Sequence, residues 1–457
     1  MHKKSENNAE STANASARGK YPLLDLSVYI PKNFGALRTM TKSLKYGDFR
    51  LYLLGVVIVN IGVWIQQVAT GWLIFRLTDS LAQLSTAVFL SQIPILFIEP
   101  FAGVVSDRFN RRHIMIATQT GLMLLILAIG VLAISDTITI AAIYAINFLS
   151  GIVVGFDAPA RQALYTKLVP PEDISNAIAL NAVALNSSRF IGPAIGGLLI
   201  GIMGEGWSLI VAASSFAAIL WTLFAIKFDY VPERNTAASA VSEFVAGAKY
   251  VLGSMPLRTL IGLLSVVCFF AFPFAMLMPA FVGDCLGGTS ETLGNMMSLV
   301  GCGSLAAGLY LTSRRSALGL GRITTVAAFS AGAGLMCLAF VKSAAIAYCL
   351  CPIIGFGMIA TSASINVMIQ SIVDENMRGR LMSFFAMAFF GMPPLGSLLQ
   401  GYAAKVAPWS WVIFSTGAFC VMAAVVFEFF RPAIREQARL IMTKRGAVCR
   451  EIASSVK

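Results

Sequence analysis

Four charged side chains, Asp107, Arg108, Arg111 and Arg112, fall within six positions of the decamer GVVSDRFNRR, which begins at Gly103. A carboxylate at a helix end can engage the partial positive charge of another helix's N-terminus, and guanidinium groups can pair with carboxylates on adjoining helices. Three further places could carry chemistry: Glu99 just before Pro100, Asp157 one helical turn before Arg161 and so spaced for a structural ion pair that exchanges partners with the decamer, and Arg189 inside an apolar run. A buried Glu can exchange protons near neutrality, because desolvation favours its neutral form. A buried Arg keeps its charge and needs water, a carboxylate or an anionic ligand beside it. Catalytic and metal chemistry are poorly supplied. There are two His, no Gly-x-x-x-x-Gly-Lys-[Ser/Thr] loop, no nucleophile with its base, and the CLC run at 349–351 lacks metal-ligand spacing. All eight Cys lie in the second half, mostly in apolar runs where they act as small apolar residues. We expect no enzyme, no cofactor and no metal site.

The elements that must position these groups are set by composition. Of 457 residues, 57% are hydrophobic and 12% charged, and the mean hydropathy is +0.77. Apolar stretches of 18 residues or more recur, each long enough to cross a ~30 Å hydrocarbon core at 1.5 Å per residue. Spans are expected near 50–75, 81–105, 114–134, 138–160, 175–203 and 208–227, then near 258–282, 291–312, 323–341, 344–368, 381–404 and 410–430. The chain is therefore an all-α membrane protein of twelve spans. Residues 1–48 read as a disordered polar tail, 49–227 and 258–430 as two six-helix bundles, 228–257 as a linker carrying a surface helix, and 431–457 as a basic tail.

With both chain ends on one side, that side receives 30 of the 34 Lys and Arg. Positive charge marks the cytoplasmic face, so both termini are expected there. The net charge of +12 then needs no nucleic-acid partner, although the basic tail could touch anionic headgroups.

Polar residues inside the spans form stripes. Asn60, Trp64, Gln67 and Gly71 share one face of span one; Asn181, Asn186 and Arg189 lie on span five; Ser362, Asn366 and Gln370 step by four along span ten. Such groups either line a cavity or bond neighbouring helices together. Glu99 is either a coupling residue or a surface-hydrated acid. Gly192, Pro193, Gly196 and Gly197 read either as a bend in span five or as a tightly packed stretch. The Phe- and Met-rich runs CFFAFPFAMLMP and MSFFAMAFFGMPP suit bulky cargo, and lipid-facing residues would look the same.

The halves repeat weakly. IGPAIGGLLIG (191–201) and GMPPLGSLLQG (391–401) align without gaps, each after a polar hinge, LVPPEDISN and SIVDENMRGR. Two related six-span halves point to a transporter with its substrate site between them.

The decamer resembles the loop between the second and third helices of the major facilitator superfamily, Gly-x-x-x-Asp-Arg-x-Gly-Arg-Arg. Asn110 stands where Gly is usual, a mild change since Asn tolerates positive φ. YGDFRLYLLG, WIQQVATGWLIFRLTDS, GFDAPARQAL and RFIGPAIGG look like the drug and siderophore efflux branch that includes the enterobactin exporter. The second-half copy, GLYLTSRRSALGLGR, lacks the Asp and has Thr312 near its place. The resemblance implies the twelve-helix fold in two pseudo-repeats. It also implies that Asp107 latches onto the start of span eleven near Arg378, Gly379 and Arg380, and that a decamer Arg reaches Asp157. Alternatively these residues only fix topology. The resemblance further implies an exporter motif at the span-five bend.

The expected function is alternating-access export of a small molecule, first a siderophore or similar secreted metabolite, in exchange for protons, by a monomer in the bacterial inner membrane. The alternatives are a broad drug or macrolide efflux pump, an importer of a ferric siderophore or nutrient, and, from another class, a non-transporting receptor or chaperone that would show no pH-dependent flux.

Overall fold

The structure is a computed structural model describing residues 42–165, 167–226, 240–314 and 319–455; side chains at 99–101, 103–108, 163, 165, 175, 240–244, 375 and 437–455 lie outside the description. The polar tail expected over residues 1–48 therefore lies almost wholly outside the described residues, as does the first part of the linker. Among the described residues the fold is helical with no strand. That is the outcome a bilayer enforces, since a helix satisfies its own backbone groups where no water can.

Helices α1 (Gly47–Thr78), α2 (Leu81–Arg108), α3 (Arg111–Ile134) and α4 (Ile140–Tyr165) cross in turn. The next helical stretch, Ile174–Ala225, has 52 residues, roughly 78 Å at 1.5 Å per residue, far more than one ~30 Å core. It is two helices. Gly204 takes φ 79° and ψ 171°, a backbone state open to glycine, and separates α5 (174–203) from α6 (205–225). Contacts with α1 show the reversal. The Ser188 hydroxyl donates to the Val57 carbonyl, Gly192 lies on Trp64 and Gly196 on Ile65 and Val68, so α5 runs parallel to α1. Thr222 lies against Gly55, Ser215 against Gly62, and Glu205 accepts from Arg76 at 2.7 Å, so α6 runs back.

A short helix, α7 (Ala240–Gly253), precedes the second bundle. There α8 (Met255–Cys285), α9 (Ser290–Ser313), α10 (Leu320–Leu338), α11 (Ala344–Ile372), α12 (Arg378–Ala403) and α13 (Trp409–Ser455) follow. Both α8 and α12 pass through a single π-turn, Phe281–Cys285 and Met387–Gly391. Helix α13 runs on through Pro432 to Ser455, so the basic tail continues the last span as helix rather than breaking from it. Its Ala, Arg, Glu, Gln and Lys residues favour that continuation.

The two halves pack alike. Helix α2 meets α4 where Gly151 faces the Ser91 carbonyl, and α9 meets α11 where Gly355 faces the Val300 carbonyl. Helix α3 meets α6 at Gly130 and Gly206, and α10 meets α13 at Gly332 and Gly417. Without side chains at these points the backbones approach closely, which drives association where lipid is as apolar as protein.

Candidate functional site

The expected i, i+4 pair forms. Asp157 is buried on α4, and its Oδ2 accepts from both Arg161 Nε at 2.9 Å and Arg161 Nη2 at 2.7 Å. Its Oδ1 accepts from Thr118 Oγ1 and Gln119 Nε2 on α3, each at 2.8 Å. The carboxylate is thus held by its own helix and its neighbour. The expectation that a decamer arginine holds Asp157 is not met in this conformation by Arg111 or Arg112. Arg111 is buried, and Arg112 Nη2 donates to the Phe224 carbonyl, tying the start of α3 to the end of α6. Asn110 also differs from expectation. It has φ −63°, and its side chain accepts from the Arg112 amide, so it caps α3 instead of using a left-handed backbone. The side chains of Glu99, Gly103, Asp107 and Arg108 lie outside the described residues.

Arg189 lies midway along α5, roughly 22 Å from its first residue at 1.5 Å per residue. Its guanidinium sits over the Trp64 ring of α1, 5.3 Å from the centroid. Gly192 allows this, since any Cβ there would strike the Trp64 stem. The Arg189 backbone in turn lies against Gly301 of α9, in the second bundle. Arg189 therefore stands on a helix at the seam between halves with its charge turned onto α1, and among the described residues no carboxylate pairs with it. Several other stripe residues bond within their own helices. Asn60 donates to Val56 O at 2.7 Å, Asn186 to Ala182 O at 2.8 Å, and Asn366 accepts from Gln370 at 2.6 Å; Gln67 is half-buried.

The Gly/Pro stretch of α5 serves two neighbours. Gly192 and Gly196 face α1, while Pro193 and Gly197 face Gly294 on α9, and Ser290 Oγ donates to the Gly197 carbonyl at 3.2 Å. The backbone stays helical from 192 to 197; the break in the α5–α6 stretch is at Gly204. Further contacts between bundles join Gly71 to Pro279, Phe75 to Gly283, and Ser85 to Gly401. All of these lie toward the side opposite the chain ends, where the two bundles touch.

Spans α8 and α12 place their aromatic runs together. Phe272 meets Phe389 edge-on with centroids 5.4 Å apart, and Phe389 stacks with Phe385 at 6.0 Å. Several contacts were outside the expected set. Tyr46 donates to Asp173 at the head of α5, and Tyr250 to Asp374 before α12, both at 2.9 Å. Gln400 of α12 donates to the Phe269 and Phe270 carbonyls of α8. The polar pair Thr118–Gln119 inside a span was a visible signal; the tyrosine contacts had none.

The sequence description of the transmembrane secretion effector family matches residues 40–449. The staphyloferrin A transporter of Staphylococcus aureus is 25% identical, with 87% of this chain and 97% of that protein covered. The multidrug efflux pump Tap of Mycolicibacterium fortuitum is 24% identical over 86% of this chain and 97% of its own length. Among solved structures, a bacterial homologue of the iron transporter ferroportin in an inward-facing state shares the fold, with a TM-score of 0.65 and 16% identity, over 84% of this chain and 98% of that one.

Proposed function

This chain belongs to the transmembrane secretion effector family, of the major facilitator type, and from that premise we propose that it exports a small anionic metabolite of the siderophore kind in exchange for protons. It is a multi-pass membrane transporter, not an enzyme. The observation that carries the finer reading is Arg189: a permanent cation on a helix that borders the other bundle, stacked on Trp64 and lacking a carboxylate partner among the described residues. An anionic cargo supplies the missing charge, and a planar guanidinium suits a carboxylate's two oxygens. A relative named for staphyloferrin A supports the same cargo class.

Both chain ends are taken to be cytoplasmic, because Lys and Arg crowd that side. The far-side contacts then seal the periplasmic face, and cargo is loaded from the cytoplasm. Asp107 latches α2 to the start of α12 when the halves close the other way, and Glu99 carries the proton. The bulky Phe272, Phe385 and Phe389 cluster, with the relative named as a multidrug efflux pump, favours as second reading a pump of broad specificity.

Everted membrane vesicles with an acid interior separate these readings. Accumulation of a carboxylate siderophore, abolished by a protonophore, is the expected result. Accumulation of cationic dyes alone would replace it with the second reading, and flux indifferent to the pH gradient would overturn proton exchange.

A further inference from the structure

We propose that the groove between α10 and α13 is a binding site for one phospholipid with a primary ammonium headgroup, a phosphatidylethanolamine, in the leaflet on the side of the chain ends. The groove encloses about 290 Å³ and is lined by Thr325, Val326, Phe329, Val425, Glu428 and Phe429. It lies on the perimeter of the second bundle, away from Arg189, so it does not belong to the transport site. Four of its walls are apolar, and Val326, Phe329, Val425 and Phe429 are all exposed, as residues that meet acyl chains should be.

Its polar end is unusual for a lipid-facing surface. Glu428 Oε2 accepts from Thr325 Oγ1 at 2.8 Å, and Oε1 pairs with Arg431 Nη2 at 2.6 Å. The two charged side chains remain 43% and 35% exposed, so neither is enclosed by protein. A carboxylate has about four lone-pair sites and a guanidinium five donors, and only part of each set is used here. Thr325 stands five residues into α10, roughly 8 Å from its start, which is the depth where headgroup meets acyl chain.

Charge complementarity selects the occupant. A zwitterionic headgroup offers a phosphate to Arg431 and a cation to Glu428 at once, with its chains along Phe329 and Phe429. The carboxylate's remaining lone pairs accept an N–H, which a primary ammonium has and a trimethylated one lacks. A phosphatidylglycerol offers no cation at all. This assignment requires only that the chain spans a membrane, and it is independent of the cargo.

The test is native mass spectrometry of the purified full-length chain after exchange into mixed micelles with equal phosphatidylethanolamine, phosphatidylcholine and phosphatidylglycerol. The wild type should retain one phosphatidylethanolamine in preference to the others. Glu428→Gln should abolish the preference among headgroups, and Arg431→Met should weaken retention roughly fivefold, the factor that ~1 kcal/mol per basic contact gives. Val425→Trp fills the groove without touching a charge, and should lose the lipid while unfolding at the wild-type temperature. Equal retention of phosphatidylcholine by the wild type, or unchanged retention by the Val425→Trp variant, would overturn the proposal.

Discussion

The Arg189 guanidinium stacks over Trp64 with its centre 5.3 Å from the ring centroid. A desolvated cation–π contact contributes about 2 kcal/mol, whereas a charged side chain at a span's centre costs roughly 2.5–3.5 kcal/mol on insertion scales. Trp64 alone leaves a deficit, so water or an anion completes the site. Arg189→Lys keeps the charge but loses the planar fork, and should retain little export at normal membrane abundance; Arg189→Met should retain none. If the Met variant exports at the wild-type rate, Arg189 is a packing residue. Trp64→Phe, which keeps a weaker ring, should fall between Arg189→Lys and the wild type.

Asp157 is buried and pairs with Arg161, which is 25% exposed, so the full buried-pair cost is an upper bound; the second Asp157 oxygen is held by Thr118 and Gln119. Removing one partner of a buried pair typically costs about 3–5 kcal/mol, because the other charge is left uncompensated. Asp157→Asn should therefore lower the unfolding temperature in detergent as well as transport. The double variant Asp157→Asn with Arg161→Gln should recover part of the stability. Recovery of transport along with it would show that the pair only holds α3 and α4 together.

Much of this was legible in the sequence, for physical reasons. A bilayer reduces span formation to length and apolarity, so the twelve crossings follow from hydropathy, including the pair merged around Gly204. The Asp157–Arg161 pair followed from helical spacing alone. What sequence could not supply was contact between helices. The spacing of Trp64 and Arg189 says nothing of their meeting, which depends on Gly192 letting α5 lie on α1. Asn110 misled because the family's Gly suggested a left-handed turn, while an Asn in extended backbone caps a helix equally well. Pro193 stays within helical backbone, and the small residues around it admit α1 and α9, partners that the sequence does not name.

The tyrosine ties are repeated across the halves, Tyr46 to Asp173 and Tyr250 to Asp374, each at 2.9 Å. Each joins the lead-in to a bundle's first span to the turn before α5 or α12. In the first half, hydrogen bonding to Tyr46 and then to Asp173 holds Lys45 above the ordinary lysine range. A raised pKa means the charge is lost only at pH above that range, so Lys45 stays paired with Asp173 at physiological pH. Tyr46→Phe and Tyr250→Phe should each slow transport, with a stability loss near the lower end of the ~1.5–3 kcal/mol of a bond to a charged group. Wild-type flux in both variants would reduce the ties to surface contacts.

Glu99 is proposed to carry the exchanged proton. Glu99→Gln cannot ionise, so the pH dependence of net efflux should flatten while exchange of cargo at equilibrium survives. Measuring both in the same vesicles isolates coupling from binding. A pH profile identical to that of the wild type removes Glu99 from the mechanism.

The far-side seal offers the sharpest mechanical test, because at Gly197 it is backbone on backbone. A methyl carbon at Gly197 would stand 2.5 Å from the Ser290 carbonyl oxygen and 2.9 Å from Gly294 Cα. Neither atom can rotate away as a side chain would, so α5 and α9 must separate. Gly201, one turn nearer the far end, would meet only the Ser290 hydroxyl at 3.9 Å, an ordinary contact. Gly197→Ala should therefore weaken the sealed state and Gly201→Ala should not. In alternating access a ligand-independent shift of that equilibrium lowers turnover, since one of the two states becomes rare. A single cysteine in place of Ser85 reports opening directly, because that side chain is buried against Gly401 in the sealed state. In the Gly197→Ala background its labelling by a thiol reagent should rise as the rate of export falls, while Gly201→Ala leaves both unchanged. Equal labelling in the two backgrounds would mean that the α5–α9 contact does not set the closure of that side.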